Sequence, residues 1–220
     1  MLRNDLKKEV FIRCVELHLE SGKPVGSKIL KKRFFEDLGD STIRLYLNKL
    51  SKERLLENVK NYCGRRPTDY GWRCFLRWNI DNIILNDEEL RTIKSMSLIG
   101  KIMFLSSLLK IYYILRESDG HMVEGGLENI LKNREFRKNE NIADFAVFLT
   151  KAKKYLDQLS RKYKDESLVL YIGKEFPLNG KESTPFSFIA KRFSNKFICF
   201  LALKRINYPY LVKLIEHTFK

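Results

Sequence analysis

The stretch "SGKPVGSKIL" at residues 21–30, followed by "DSTIRLYLNKL" at residues 40–50, determines the fold of the first part of the chain. Each stretch places polar residues in front of a run of apolar residues at helical spacing. Gly22 suits a left-handed helix end, and Pro24 cannot continue a helix, so the first stretch ends one helix and begins another. The two stretches therefore predict three consecutive helices, of which the last two are joined by a tight turn, in a helix-turn-helix pattern.

The starts of the second and third helices have polar residues that favour capping. Ser27 is predicted to cap the second helix, and Asp40 or Ser41 the third, which is expected to run to about Leu55. Apolar residues at helical spacing predict the buried side chains. In the first helix (residues 4–20) these are Leu6, Val10, Phe11, Cys14 and Leu17, and in the second they are Ile29, Leu30 and Phe34.

The third helix has two chemically different faces. Its apolar face is formed by Ile43, Tyr46, Leu47 and Leu50. Its opposite face is formed by Ser41, Arg44, Leu45, Asn48, Lys49 and Lys52. Arginine and asparagine donate hydrogen bonds to base edges and lysine binds phosphates, while a leucine can contact a thymine methyl group. A solvated polar face is the simpler explanation of such a helix alone, and the neighbouring segments favour DNA binding.

A β-hairpin is predicted after the third helix, from "LLENVKNYCGRRPTDYGW". Gly64 would permit a turn at Cys63–Gly64, and Arg65 and Arg66 would lie near its tip, where they could contact phosphates or a minor groove. Thr68 is predicted to cap the next helix. The aromatic residues Trp72, Phe75 and Trp78 would pack that helix onto the first three.

The rest of the chain is predicted to be α+β. A polar connector (residues 81–95) precedes an apolar helix over residues 97–115, and a packed helix follows over residues 143–163. Three strand-like runs, 167–173, 186–193 and 196–204, come before an amphipathic C-terminal helix. We therefore expect two domains, residues 1–80 for DNA binding and residues 81–220 for an α+β dimerisation region. Residues 97–115 and the strands after 167 are the expected contacts of a homodimer.

A membrane span is the alternative for residues 97–115, which are nearly long and apolar enough to cross a bilayer. Lys101 and Lys110 would lie on opposite faces of that helix, so one of them would face lipid at a cost of about 2.5–3.5 kcal/mol. No membrane association is therefore expected. Charges interrupt the apolar residues of the N-terminal "MLRNDLKKEVF", so no secretory signal is expected and the cytoplasm is the predicted compartment.

Composition favours a polyanionic partner. The 42 Lys and Arg residues exceed the 27 Asp and Glu residues by 15 charges. The four cysteines are too widely spaced for a metal-binding knuckle and too few for a disulfide-rich secreted domain. Cys14 and His18 are one helical turn apart, but no second pair accompanies them, so packing is the better explanation. No catalytic set, metal site or cofactor site is assigned, and enzyme activity is not expected.

Several ordered phrases make the chain resemble the heat-inducible transcription repressor HrcA family. They are "SGKPVGSKIL", "STIR", "GRRPTDYGWR", "GLENIL", "YIGKEFPL" and "LALKRINYPYLVKLIEHTF". The resemblance implies a winged helix-turn-helix followed by a GAF-like domain with a dimerising insertion. It also implies repression of heat-shock chaperone operons through an inverted-repeat operator, with a chaperonin as a partner.

The resemblance also implies roles for individual residues. It assigns Ser27 and Lys28 to the helix-turn-helix, Ser41, Thr42 and Arg44 to the recognition helix, and Gly64, Arg65, Arg66 and Thr68 to the wing. The chain departs from the family pattern in two ways. Relatives are longer, so the GAF-like region is expected to be abbreviated, and relatives usually follow "TIR" with Asn-Asp where this chain has Leu45 and Tyr46.

Two other functions remain open from the sequence. The winged helix could be a protein-interaction module whose basic surface serves solubility. Alternatively, the chain could bind nucleic acid without sequence preference, which would preserve the salt dependence of binding but not discrimination between operators.

Overall fold

The computed structural model describes residues 2–59, 63–137, 139–162, 167–179 and 184–220. The chain divides into two compact units. Unit 1 extends to Asp81 and includes Asn207–Pro209, and unit 2 comprises Asn82–Ile206 and Tyr210–Lys220. Within the described ranges, no helix combines the length and the apolar character needed to cross a bilayer.

Unit 1 is built from helices and one small sheet. The elements are α1 (Leu2–Ser21), α2 (Ser27–Phe34), α3 (Asp40–Lys52), β1 (Leu56–Asn58), β2 (Arg65–Pro67) and α4 (Asp69–Asn79). Strands β1 and β2 pair in the antiparallel direction. The apolar face of α3 is buried as predicted, with Ile43, Leu47 and Leu50 fully covered. Phe11 of α1 meets Trp78 of α4 edge to face, with 5.5 Å between ring centroids.

Two of the predicted helix ends are confirmed. Gly22 has a φ of 66° after α1, and its amide donates to the His18 carbonyl at 2.9 Å. Thr68 caps α4, because its hydroxyl accepts from the Gly71 amide at 2.9 Å. Both ends depend on local chemistry that the sequence displays, namely the positive φ of glycine and the short side chain of threonine.

The predicted caps of α2 and α3 are wrong. The N-cap positions are Gly26 and Gly39, and neither helix has a side-chain cap. Ser27 is instead the first residue of α2 and is buried, and its hydroxyl accepts a hydrogen bond from Arg44 Nε at 3.4 Å. Helix α3 also ends at Lys52, before the predicted Leu55, because Arg54 takes a left-handed conformation with a φ of 60°.

The buried face of α2 differs in part from the prediction. Leu30 is fully buried as expected, but Ile29 is 45% exposed and Phe34 is only half-buried. Phe35, one residue past the helix, is buried instead. Within its eight residues the helix therefore buries one apolar side chain, that of Leu30.

Unit 2 contains a five-stranded antiparallel sheet with helices. Its helices are α5 (Asp87–Ser95), α6 (Leu98–Leu109), α7 (Leu127–Ile130), α8 (Asn139–Lys162) and, from Tyr210 onward, α9 (Tyr208–Thr218). Its strands are β3 (Tyr112–Arg116), β4 (Met122–Gly125), β5 (Leu168–Ile172), β6 (Phe186–Phe193) and β7 (Lys196–Leu203), in the order β4-β3-β7-β6-β5. The predicted mixed α+β class is confirmed for this part of the chain.

The side chains of β6 and β7 point alternately to the two faces of the sheet, and both faces are buried. On one face Phe186 and Phe188 pack against the α8 stripe, which includes Phe148 and Leu156. On the other face Phe200 lies 6.1 Å, between ring centroids, from Phe219 after α9. Both strands and the buried stripe of α8 agree with the sequence pattern, and Tyr163, at the end of the predicted helix, lies outside the described residues.

The predicted helix over residues 97–115 is wrong. Helix α6 ends at Leu109, Lys110 takes a left-handed conformation (φ 53°), and the chain continues as strand β3. Aromatic and β-branched residues such as Tyr112 and Ile114 favour the strand, where they pair with β4 and β7. The sequence reading missed β3, β4 and α5, the last of which lies inside the predicted connector.

Candidate nucleic-acid interface

Helix α3 presents a polar face opposite its buried residues. Leu45 is 52% exposed at the centre of this face. The other exposed side chains of the face are Ser41, Arg44, Asn48, Lys49 and Lys52, while Thr42 is half-buried. Because apolar residues recur at helical spacing on the other side of α3, its core contacts keep this face outward.

The sheet lies against the turn between α1 and α2. The Val25 amide donates to the Arg65 carbonyl at 2.7 Å, and the Arg65 amide donates to the Val25 carbonyl at 2.9 Å. A Cβ atom on Gly64 would lie 2.8 Å from the Pro24 carbonyl carbon, and one on Gly26 would lie 2.9 Å from the Cys63 carbonyl oxygen. Both glycines are therefore required for close backbone approach.

The prediction that Gly64 permits a turn needs correction. Its φ is not in the left-handed region, so it serves the approach to Pro24 rather than a turn conformation. Residues 60–62, which belong to the predicted turn, lie outside the described residues. Arg65 and Arg66 are paired strand residues opposite Asn58 and Glu57.

An open groove forms where the turn, α3 and β2 meet. It brings together five of the predicted residues: Ser27, Lys28, Arg44, Asn48 and Arg65. The other residues that line it are Gly26, Asn58, Cys63 and Gly64. Three cationic side chains within one groove favour an anionic ligand.

Two arginines in this groove are held by neighbouring side chains. The Arg44 guanidinium pairs with the Asp40 carboxylate at 2.7 Å, and its Nε donates to the Ser27 hydroxyl at 3.4 Å. The Arg65 guanidinium donates to the Asn48 carbonyl oxygen and, at 3.1 Å, to the Ser51 hydroxyl. Burial lowers the pKa of Arg65 below its ordinary value.

The remaining predicted residues lie outside the groove. Arg66 is on the opposite face of the sheet from Arg65 and pairs with Glu57 at 2.7 Å. The Lys49 ammonium lies 5.6 Å from the centroid of the Tyr46 ring. Besides capping α4, the Thr68 hydroxyl donates to the Arg54 carbonyl, so both its donor and its acceptor are used within unit 1.

Sequence reasoning missed several residues that belong beside this surface. A second depression is lined by Lys28, Lys31, Lys32, Glu36 and Asp40. The contact of Asp40 with Arg44 has a signal in the sequence, because an acidic and a basic residue four positions apart meet on a helix. The contact of Asn48 with Arg65 has none, since 17 residues separate the two.

The cysteines and His18 have different surroundings. Over the described ranges, no three His, Cys, Asp or Glu side chains are grouped to hold a metal ion. Burial raises the pKa of the Cys14 thiol to about 12, and His18 Nδ1 hydrogen-bonds the Lys23 carbonyl at 2.9 Å. All four cysteines are free thiols, and Cys63 is the exposed one.

Known proteins resemble this chain at the level of a family model and of individual sequences. The family model of the HrcA protein C-terminal domain matches residues 75–212. The heat-inducible transcription repressor HrcA of Protochlamydia amoebophila (strain UWE25) is 38% identical over 73 residues, which are 33% of this chain and 19% of that protein. The repressor of the same name from Chlamydia muridarum (strain MoPn / Nigg) is 41% identical over 66 residues, 30% and 17% of the two chains. The matches thus span about a fifth of the length of these relatives.

A solved structure shares the fold of almost the whole chain. It is a crystal structure at 2.2 Å resolution of a protein described as hypothetical, with a TM-score of 0.79. The similarity covers 98% of this chain and 96% of that chain at 17% sequence identity. At this identity the likeness concerns the fold alone.

Proposed function

This chain belongs to the HrcA family, and on that premise we propose that it is a transcription repressor that binds double-stranded DNA as a homodimer in the cytoplasm. Residues 1–80 form the DNA-binding domain, and residues 81–220 form an abbreviated GAF-like and dimerisation region. The regulated genes are heat-shock chaperone operons with an inverted-repeat operator. The names of the relatives and the family match support repression, and the chaperonin partner rests on the family resemblance.

The polar face of α3 carries this proposal. Exposed Arg44 and Asn48 stand on the outward side of a helix whose inner side is fully buried. We assign α1, α2 and α3 to a helix-turn-helix bundle and the β1–β2 sheet to its wing. In such a domain the recognition helix enters the major groove, and a dimer places two of these helices about 34 Å apart along the duplex.

The side chains divide into base-reading and phosphate-binding groups. Arg44 and Asn48 read bases, and Leu45 contacts a thymine methyl group. Lys28, Lys49, Lys52 and Arg66 bind phosphates, together with the hydroxyl groups of Ser41 and Thr42 near the start of α3. Ser27 and Thr68 support this surface through their hydrogen bonds to Arg44 and α4.

Selection from a pool of random duplexes tests the proposal, followed by titration of the enriched duplex and a scrambled one. We expect the intact chain to enrich an inverted repeat. Arg44→Ala should weaken binding to that repeat by about 5- to 150-fold, the effect of one lost base contact. Arg91→Ala removes the same charge from an exposed position of α5 and should leave discrimination unchanged.

Other results identify the alternatives. Equal affinity for the enriched and scrambled duplexes, with a retained salt dependence, would indicate a nonspecific binder. Absence of DNA binding at low salt would favour the protein-interaction module. For the repressor, loss of one phosphate contact should flatten the slope of log affinity against log salt by roughly 0.9.

A further inference from the structure

We propose that Arg65 is a positioning residue that fixes the orientation of the Asn48 side chain, so that Asn48 presents its amide NH2 group to DNA. The inference rests on the proposed function and adds a base preference to it. It also changes the role expected for Arg65 from phosphate binding to control of base recognition.

The backbone of Arg65 is held firmly beside α3. Its amide and carbonyl both bond to Val25, at 2.9 and 2.7 Å. Across the sheet its partner is Asn58. Gly64, directly before it, lies so close to Pro24 that a Cβ atom would not fit. The guanidinium of Arg65 therefore starts from a fixed point.

The side chain of Arg65 reaches α3 with two different nitrogens. Its Nε donates to the Ser51 hydroxyl at 3.1 Å, and its Nη2 donates to Asn48 Oδ1 at 2.5 Å. Two hydrogen bonds from a planar group fix its direction as well as its distance. A guanidinium in this position is engaged by α3 and is not directed to a phosphate.

The chemistry of arginine determines which end of the Asn48 amide faces it. A guanidinium has only donors, so it requires the amide oxygen and repels the amide NH2 group. Rotating the amide by half a turn would place donors against donors. Asn48 is exposed, and its Nδ2 has no hydrogen-bond partner within the described part of the chain. The free end is thus a donor.

This orientation predicts a base preference. A freely rotating asparagine recognises adenine with both ends of the amide, accepting from N6 and donating to N7. With its oxygen held toward Arg65, Asn48 can still donate to guanine O6 or N7, to thymine O4 or to adenine N7, but it no longer turns its oxygen to adenine N6 for the paired contact. Cytosine offers only a donor in the major groove and should be rejected. Because adenine loses one of its two bonds, guanine or thymine is expected to replace adenine as the preferred base at the position contacted by Asn48.

Substitutions at both ends of this contact test the inference by selection from random duplexes. In Arg65→Met the Asn48 amide is released. The frequency of adenine at the DNA position that Asn48 contacts should then rise on the order of tenfold relative to guanine and thymine. Asn48→Ala identifies that position by loss of preference there. Arg66→Met, the matched control on the other sheet face, should flatten the salt slope and leave base preference unchanged.

Asn48→Asp provides a test that does not depend on the folding of Arg65→Met. The new carboxylate can keep its bond to Arg65, but its outward end becomes an acceptor, so the preferred base should change to cytosine or adenine. Unchanged base preference in Asn48→Asp would overturn the inference. So would an Arg65→Met protein that keeps the intact chain's preference while its salt slope flattens by roughly 0.9, since Arg65 would then be a phosphate contact.

Failure of the proposed function has a different signature. If the intact chain enriches no sequence, the repressor proposal fails, and this inference fails with it. If the intact chain enriches an inverted repeat and only the variants behave otherwise than expected, the inference fails alone.

Discussion

Gly71 is a position where a single methyl group decides whether two segments can meet. The Thr68 amide donates to the Leu55 carbonyl at 3.1 Å, which brings the start of α4 against the residues before β1. A Cβ atom on Gly71 would lie 2.0 Å from the Leu55 carbonyl oxygen. Because the obstacle is backbone that is already hydrogen-bonded, it cannot move aside as a flexible side chain would.

Gly71→Ala should therefore destabilise unit 1. We expect the free energy of unfolding to fall by about 1–3 kcal/mol, as for other overpacked buried sites, although alanine favours helix formation. Chemical denaturation followed by circular dichroism measures the change. Gly39→Ala is the control, since its Cβ would meet its nearest neighbours at 3.5 and 3.8 Å, and it should cost less than about 1 kcal/mol. Equal losses in both variants would contradict the steric explanation.

Elements of unit 2 are joined by an ion pair that links distant parts of the chain. Glu135, in the short 3-10 turn Arg134–Arg137, accepts two hydrogen bonds from Arg205, which follows β7. Burial alone opposes ionisation of Glu135, but the hydrogen bonds and charge of Arg205 outweigh it and lower the pKa of the carboxyl. The pair holds this turn, with its buried Phe136, in place beside the sheet.

Glu135→Gln should reduce stability in a way that depends on pH. At pH 7 we expect a loss of about 1–2 kcal/mol, since the pair is only partly buried. Because the pKa of Glu135 is lowered in the folded state, its ionisation stabilises the fold at pH values above its ordinary pKa of 4.5. This contribution disappears as the pH falls through the folded pKa. Unfolding free energies at pH 7 and below pH 4.5 should therefore differ less in the variant than in the intact chain. Glu128→Gln, at an exposed position, should change neither value.

For the molecule as a whole, the dimer proposal concerns an apolar surface of unit 2. Helix α6 exposes 38% of Ile99, 55% of Met103 and 39% of Leu108 while it buries Ile102 and Leu105. Strands β6 and β7 are buried on both faces and lie inside the sheet, so among the described strands after residue 167 the edge strand β5 is the one open to a partner. Helix α6 is the surface we assign to the two-fold contact.

Met103→Asp tests this assignment. A buried unpaired carboxylate would oppose association, so sedimentation should show a monomer where the intact chain is a dimer. Affinity for an inverted repeat should fall on the order of a hundredfold, while affinity for one half-site stays the same. Ile84→Asp is the control, because Ile84 is 92% exposed and lies outside α6. A dimeric Met103→Asp protein would place the contact elsewhere.

Local patterns in the sequence were sufficient for part of this structure. The repeat of Ile43, Leu47 and Leu50 predicted the buried face of α3, and the alternating runs predicted β6 and β7. Thr68 was recognised as a cap because its role depends on residues next to it in the chain. These features involve near neighbours, so their chemistry is visible in the order of residues alone.

Tertiary structure alone decided the features that depend on distant backbone. Lys110 lies in an apolar run that favours a helix, and pairing with β7, more than 80 residues later, makes the following residues a strand instead. Arg65 has the sequence pattern of a hairpin-tip cation, yet its bonds to Val25 and Asn48 turn it toward α3. By itself the sequence determined which surfaces are apolar and which are charged. The fold decided which partners those charges have, because ion pairs and hydrogen bonds depend on distances that only packing sets.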